Sequence, residues 1–253
     1  MPLSGPPRAR SLPSMNRPTA PIRLLVHGAS GRMGQALLRL AAQGEEAKVV
    51  AAVSRTVQQR VTDGVPHFSG NELGGTPDFD VAVDFSRAEG FDGILDLCRA
   101  RGAALVSGTT GLSGEQEAAI AAAATCVPIL WAANFSLGVA VLADLVERAA
   151  RALPGWDCDI IEAHHVHKQD APSGTALTLG GAAQRNGATP RFASIRAGDI
   201  VGEHTVQFAT DGERIELVHR ATNRDIFARG ALAAAAWVKG RDPGLYTLRD
   251  MLD

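Results

Sequence analysis

From residue 22 to residue 132 the chain alternates short apolar runs with stretches of helical periodicity, and this rhythm constrains the fold more than any other feature. Runs at 22–27, 48–53, 80–85, 104–107 and 127–132 read as strands. Stretches at 35–43, 88–101 and 114–124 read as helices. Strands that alternate with helices pair in parallel, because each crossover returns the chain to the same end of the sheet; the expected product is a doubly wound α/β sheet. After Phe135 the rhythm changes. Residues 137–153 form a long amphipathic stretch, 159–165 a strand and 173–185 a helix rich in Ala, Leu and Gly. Consecutive strands at 193–199, 203–209 and 214–219, with a turn signal at Asp211-Gly212, predict a second, mixed sheet. Residues 225–239 return to helix, and 245–252 read as a last short one.

The first strand runs into Gly28-Ala29-Ser30-Gly31-Arg32-Met33-Gly34, which opens the first helix. Glycines here let backbone N–H groups approach a pyrophosphate at the helix N-terminus, and Arg32 adds a phosphate contact. The spacing is G-x-x-G-x-x-G, with Ser30 where the usual fingerprint has its second glycine. Glycine turns also serve purely structural ends; the place between the first strand and first helix of an alternating series favours nucleotide binding. NAD-preferring proteins carry a carboxylate at the end of the second strand to hold the ribose 2′-hydroxyl. This chain has Ser54 and Arg55 there, which suits a 2′-phosphate, so NADPH is expected over NADH, with NADH use still open. Three more strand-end segments belong to the same sheet edge: Phe85-Ser86-Arg87, Gly108-Thr109-Thr110-Gly111 and Ala132-Ala133-Asn134-Phe135. Ligands of open α/β sheets sit beyond the carboxyl ends of the strands, where such small and polar residues can receive a nicotinamide.

Chemistry concentrates in Glu162-Ala163-His164-His165-Val166-His167-Lys168-Gln169-Asp170-Ala171-Pro172-Ser173-Gly174-Thr175-Ala176. A cluster of proton-transfer groups leads directly into a helix start at Ser173, Gly174 and Thr175. First-turn N–H groups lack partners inside the helix and, with the helix dipole, form an anion pocket. Proton donors beside an oxyanion pocket suggest an enzyme acting on a small acid. The competing readings are an exposed turn decorated with histidines, or a zinc site. Zinc is disfavoured because His164 faces away from His165 and His167 on a strand and no Cys lies nearby, so no metal is expected.

The 253 residues are 45% hydrophobic and 21% charged, enough to bury a substantial core. A net charge of −2 with interspersed signs calls for neither nucleic acid nor an anionic membrane. Cys98, Cys126 and Cys158 lack a C-x-x-C pairing and read as buried, reduced thiols of a cytoplasmic protein. No apolar run is long enough for a membrane span. Residues 1–21, rich in Pro, Arg and Ser, read as a disordered tail without a signal peptide, with Met15 a candidate true start.

These motifs resemble those of bacterial dihydrodipicolinate reductases, also called 4-hydroxy-tetrahydrodipicolinate reductases, of the lysine and diaminopimelate pathway. The likeness runs from Ile22 to the C-terminus and rests on G-A-S-G-R-M-G, D-F-S-R, G-T-T-G, A-N-F-S-L-G-V and E-A-H-H-V-H-K-Q-D-A-P-S-G-T-A. Two further segments are similar, 196–204 and 224–231. The resemblance implies a Rossmann-like dinucleotide-binding domain (22–134 plus 225–253) with an inserted α+β substrate-binding and oligomerisation domain (135–224). It implies hydride transfer to a cyclic imine dicarboxylate followed by protonation, with His164 and Lys168 as the proton-transfer pair. His165, Gly174 and Thr175 match residues that hold the substrate carboxylates, Arg224 is a further candidate for the second carboxylate, and a homotetramer is implied. Two departures stand out: Ser54 replaces an acidic residue, and residues 186–194 form a shorter link than many members have. Another Rossmann-type reductase of amino-acid metabolism, such as a homoserine or aspartate dehydrogenase-like protein, is disfavoured by the His-Lys segment followed by S-G-T-A. A catalytically silent NADPH sensor should lack His164 or Lys168, and both are present.

Overall fold

The computed structural model describes residues 20–252. The proposed start at Met15 and nearly all of the N-terminal tail lie outside the described residues. The first half runs β1 (Ile22–His27), α1 (Arg32–Gln43), β2 (Ala47–Ser54), β3 (Val61–Thr62), β4 (Val65–Ser69), β5 (Val81–Asp84), α2 (Ala88–Arg101), β6 (Ala104–Ser107), α3 (Gly114–Ala123) and β7 (Pro128–Trp131). The second runs α4 (Leu137–Ala152), β8 (Asp157–His164), α5 (Gly174–Gln184), β9 (Pro190–Arg196), β10 (Gly202–Thr210), β11 (Glu213–Ala221), α6 (Asp225–Val238) and β12 (Gly244–Tyr246).

The larger sheet has the order β12-β7-β6-β5-β1-β2-β4-β3 and is parallel except for the β3–β4 hairpin. Its central strands are buried on both faces, as parallel strands under helices must be. α1 and α6 cover one face through Leu37, Leu40, Ala231 and Ala235; α2 and α3 cover the other through Phe91, Ile94 and Ile120. The chain steps from β1 to β2 on one side and to β5 on the other. That switch point opens a crevice at the carboxyl ends of β1 and β5.

The smaller sheet, β11-β10-β8-β9, is mixed: β8 pairs in parallel with β9 and antiparallel with β10. Its inner face (Cys158, Ile160, Val206, Phe208) packs on α4 and α5. A Cβ on Gly230 of α6 would meet the Phe135 carbonyl oxygen at 1.8 Å, so α6 lies directly against the backbone that leads into α4.

Four local features differ from expectation. Residues 245–252 are not a helix: β12 joins the sheet edge beside β7 and only a 3-10 turn, Arg249–Met251, follows. The edge hydrogen bonds, with Tyr246 edge-on to Trp237 at 5.3 Å between ring centroids, override the weak helical preference of so short a piece. β3 and β4 add a hairpin to the expected strands, closed by Asp63 and Gly64, both at positive φ, in the Asp-Gly turn that marks a tight hairpin. Cys126 is exposed in the turn after α3, whereas Cys98 and Cys158 are buried. The strand placed at 193–199 begins and ends earlier, and Gly198 at φ +50 turns the chain after it.

Candidate active site

The glycine turn is built for close approach. Gly28 has φ +80, and a Cβ there would meet the Phe85 carbonyl oxygen at 2.4 Å. A Cβ on Gly34 would meet the Gly28 carbonyl oxygen at 2.3 Å, so only glycine lets α1 sit on the turn. Gly31 caps α1 without a side-chain hydrogen bond, and no acidic residue lies in the first turn. Uncapped N–H donors at a helix start, with Arg32 beside them, fit the phosphates of a dinucleotide. Ser54 is buried, and its hydroxyl accepts from the Ser30 N–H at 3.1 Å, tying the end of β2 to the glycine turn. Arg55 is exposed next to it.

A cleft of about 940 Å³ separates the two sheets. Arg32, Met33, Phe85, Gly108 and Thr110 line it from the larger sheet, with Ala133, Asn134 and Phe135 at the crossing. His164, His165, Lys168, Ser173, Gly174 and Thr175 line the opposite side, with Arg224 at the start of α6. Residues from seven separate segments of the sequence thus meet in one cavity. Other expected residues lie behind its wall: Ala29 and Thr109 are buried, and Ala132 packs against the core under α6. Ser54 and Arg55 do not line this cavity, whereas Arg39, unremarked in the sequence, does.

His164 ends β8, only 8% exposed, and its Nδ1 is 2.5 Å from Glu162 Oε2. Glu162 is 1% exposed and also accepts the Arg196 guanidinium fork at 2.7 and 2.9 Å and the Ser173 N–H at 3.3 Å. Burial raises its pKa, but Arg196, Ser194 and His164 outweigh that and hold it at about 2. An ionised carboxylate only accepts, so Nδ1 of His164 carries a proton and Nε2 is the atom left to exchange one. Nε2 faces Gly202, where an added Cβ would come within 3.1 Å. Lys168 Nζ donates to Asp170 Oδ1 at 2.8 Å, and Arg196 donates to the Asp170 carbonyl at 2.6 Å, fastening the 165–173 loop to β9.

Ser173 is the N-cap of α5. Its hydroxyl accepts from the Ala176 N–H at 3.2 Å and lies 3.2 Å from His204 Nε2. Its polar atoms are therefore engaged within the protein, which leaves as helix-start donors the N–H groups of Thr175 and of Gly174, the latter beside the Asp170 carboxylate. Asn134 donates to the Thr175 hydroxyl at 3.0 Å, linking the nucleotide-side loop to α5. Burial, reinforced by Arg224, lowers the pKa of His165, whose buried Nδ1 has no partner within the described residues. Burial and the neighbouring His164 push His204 down to about 4. His165 and His167 rings lie 6.2 Å apart; because β8 ends at His164, strand alternation does not extend to His165, which lines the same cleft as His164 instead of facing away from it. Among the described residues no group of three His, Cys, Asp or Glu side chains is placed to hold a metal ion.

Glu162, Arg196 and His204 carry no role in the sequence reading. Their signal was register: His164 lies opposite Arg196 in the β8–β9 pair, and Glu162 opposite His204 in the β8–β10 pair.

Comparison with known proteins agrees with this geometry. A family model described as dihydrodipicolinate reductase, N-terminus, matches residues 22–135, and one described as dihydrodipicolinate reductase, C-terminus, matches 138–252. The 4-hydroxy-tetrahydrodipicolinate reductase of Stenotrophomonas maltophilia (strain R551-3) is 69% identical over 234 residues, 92% of this chain and 98% of the relative. That of Xylella fastidiosa (strain 9a5c) is 60% identical over 232 residues, 91% of this chain and 98% of the relative. The dipicolinate-bound dihydrodipicolinate reductase from Paenisporosarcina sp. TG-14 shares the fold, with a TM-score of 0.80 at 24% identity over 91% of this chain and 99% of that one. A Rossmann-like sheet, an uncapped glycine-turn helix and a His-Lys segment facing it across one cleft accompany two family matches that together span nearly the whole described chain, and on these grounds the chain belongs to the dihydrodipicolinate reductase family.

Proposed function

We propose that this chain reduces 4-hydroxy-tetrahydrodipicolinate, by way of dihydrodipicolinate, to tetrahydrodipicolinate in the diaminopimelate and lysine pathway. The observation that carries this reading is the single cleft between the glycine-turn helix and the His164–Lys168–α5 segment. A bound nicotinamide nucleotide supplies the hydride. Residues 22–134 with 225–253 hold that nucleotide: the start of α1 and Arg32 bind its phosphates, and Phe85, Gly108, Thr110 and Ala133–Phe135 form the wall against its ring. Residues 135–224 hold the cyclic imine dicarboxylate. Gly174 and Thr175 N–H groups bind one carboxylate, while His165 and Arg224 serve the other. His164 and Lys168 deliver the proton that completes reduction, a contribution of roughly 10²–10⁴-fold in rate.

NADPH is the preferred donor and NADH the weaker one, because Arg55 offers its charge to a 2′-phosphate and Ser54 presents no carboxylate to repel it. Arg55→Ala should lower the NADPH to NADH efficiency ratio; an unchanged ratio removes this assignment. Four copies assemble through the outer face of the smaller sheet, where Ile161 and Ala163 lie in register with Val218 and Ile195, 42% and 49% exposed. The protein works in the cytoplasm, where its thiols stay reduced; among the described residues no helix is long and apolar enough to cross a membrane.

The direct test generates the substrate with its synthase and follows NADPH absorbance on adding the purified chain. Rapid, substrate-dependent loss is expected. Binding of NADPH without turnover would overturn the reading in favour of a sensor or a different reductase.

A further inference from the structure

We propose that Asp84, which forms no part of the cleft wall, is a positioning residue that sets the three strand-end loops where the nicotinamide nucleotide binds. The inference rests on the reading that these loops receive the nucleotide.

Asp84 ends β5 and is 0% exposed. Its carboxylate takes four donors: His27 Nδ1 at 2.9 Å and the Ser86 N–H at 3.1 Å on Oδ1, the Ser107 hydroxyl at 2.8 Å and the Thr109 hydroxyl at 2.7 Å on Oδ2. These donors come from the ends of three neighbouring strands, β1, β5 and β6. Each stands next to a residue of the nucleotide side: His27 precedes Gly28, Ser86 follows Phe85, and Thr109 lies between Gly108 and Thr110. β7 is tied in as well, through Trp131 Nε1 donating to the Thr109 carbonyl at 3.0 Å.

The loops so held are also in steric contact. A Cβ on Gly108 would come within 2.2 Å of the Phe85 ring, and Phe85 stands edge-on to Phe135 at 5.2 Å. A shift of the β6 loop must therefore move Phe85, and with it the wall of the cleft. Stability alone does not favour a charge here. The site lies in the middle of a parallel sheet, where an apolar side chain packs without desolvation cost, and replacing buried ionic groups by apolar ones is often neutral or stabilising. Burial pushes the Asp84 carboxyl up, but His27 and the hydroxyl and N–H donors outweigh this and keep it ionised. An ionised carboxylate has acceptor sites for all four donors and no hydrogen to misdirect them. What it provides is a common origin for loops that local sequence leaves free to move independently. Thr109, buried and bonded to Asp84, acts from behind the wall while its neighbours face the cleft.

The test is fluorescence titration of NADPH and of NADH into the purified chain, with steady-state kinetics alongside, for Asp84→Asn, Thr109→Val and Thr109→Ser. Asn places an N–H where the hydroxyl donors point, and leaving buried donors unpaired is expected to weaken NADPH binding about tenfold or more. The KM for the dicarboxylate should stay near the wild-type value. Thr109→Val, which keeps shape but loses the hydroxyl, should weaken NADPH binding several-fold, and Thr109→Ser should restore it. If Asp84→Asn does not fold, the Val and Ser pair decides alone. NADPH binding unaltered in Asp84→Asn and Thr109→Val, or equal loss for nucleotide and dicarboxylate, overturns the positioning role. A wild-type chain that binds neither nucleotide overturns the nucleotide reading itself, which is a different result.

Discussion

His164 depends on Glu162 for its tautomer and its orientation. The buried carboxylate holds the Nδ1 proton, is itself held by the Arg196 fork, and reaches the first turn of α5 through the Ser173 N–H. Glu162→Gln keeps the shape and removes the charge, so Nε2 of His164 loses its defined state and Arg196 loses its counter-ion. The kcat should fall on the order of 10²-fold while the NADPH dissociation constant holds. Loss of one partner of a buried pair should also cost about 3 kcal/mol, read from urea unfolding. An unchanged kcat would separate Glu162 from the chemistry. The sequence displayed His164 and Lys168 plainly, since their segment is contiguous. It could not display Arg196 and His204, because which residues lie opposite Glu162 and His164 follows from strand register, and register is not a local property.

At the scale of elements, the helix starts matter most. α5 begins at a capped serine whose hydroxyl is shared between the Ala176 N–H and His204. Ser173→Ala should cost about 1 kcal/mol of stability and raise the KM for the dicarboxylate more than that for NADPH, since the Gly174 and Thr175 N–H groups would lose their fixed aim. Equal changes in both KM values would count against α5 as the carboxylate site. The major strands and helices were legible because their apolar periods are long. β3, β4 and β12 were not, for they are two to five residues each and are set by pairing to neighbours. Ser54 adds a contact the sequence does not display: its hydroxyl accepts the Ser30 N–H and ties the end of β2 to the glycine turn.

At the scale of the whole molecule, the smaller sheet brings the rings of His164, His204 and His219 together, 5.3 and 6.5 Å between successive centroids, and stability should record this. His204 titrates near 6.5 when unfolded and at about 4 when folded, and His219 and His165 are lowered in the same direction. The unfolded chain therefore binds more protons between these values, and stability falls as pH drops from about 6.5 toward 4. Glu162 adds nothing in the upper part of that window, because its stabilisation is lost only as pH falls from 4.5 toward 2. Unfolding free energies from urea titrations at pH 7 and pH 5 should differ by on the order of 2 kcal/mol, and His204→Gln should shrink the difference. A difference equal to wild type in that variant would place the effect elsewhere. Assembly acts at the same scale: Val218→Asp on the outer sheet face should yield smaller species by sedimentation, whereas an unaltered species would move the contact off this face.

The central claim is that a nucleotide held at the α1 turn and a proton donor on the β8–α5 loop act on one substrate in one cleft. Comparing wild type with Lys168→Met for both turnover and NADPH binding tests it most directly. Turnover of the enzymatically generated substrate should collapse while NADPH binds as before. Full turnover in the variant would contradict it.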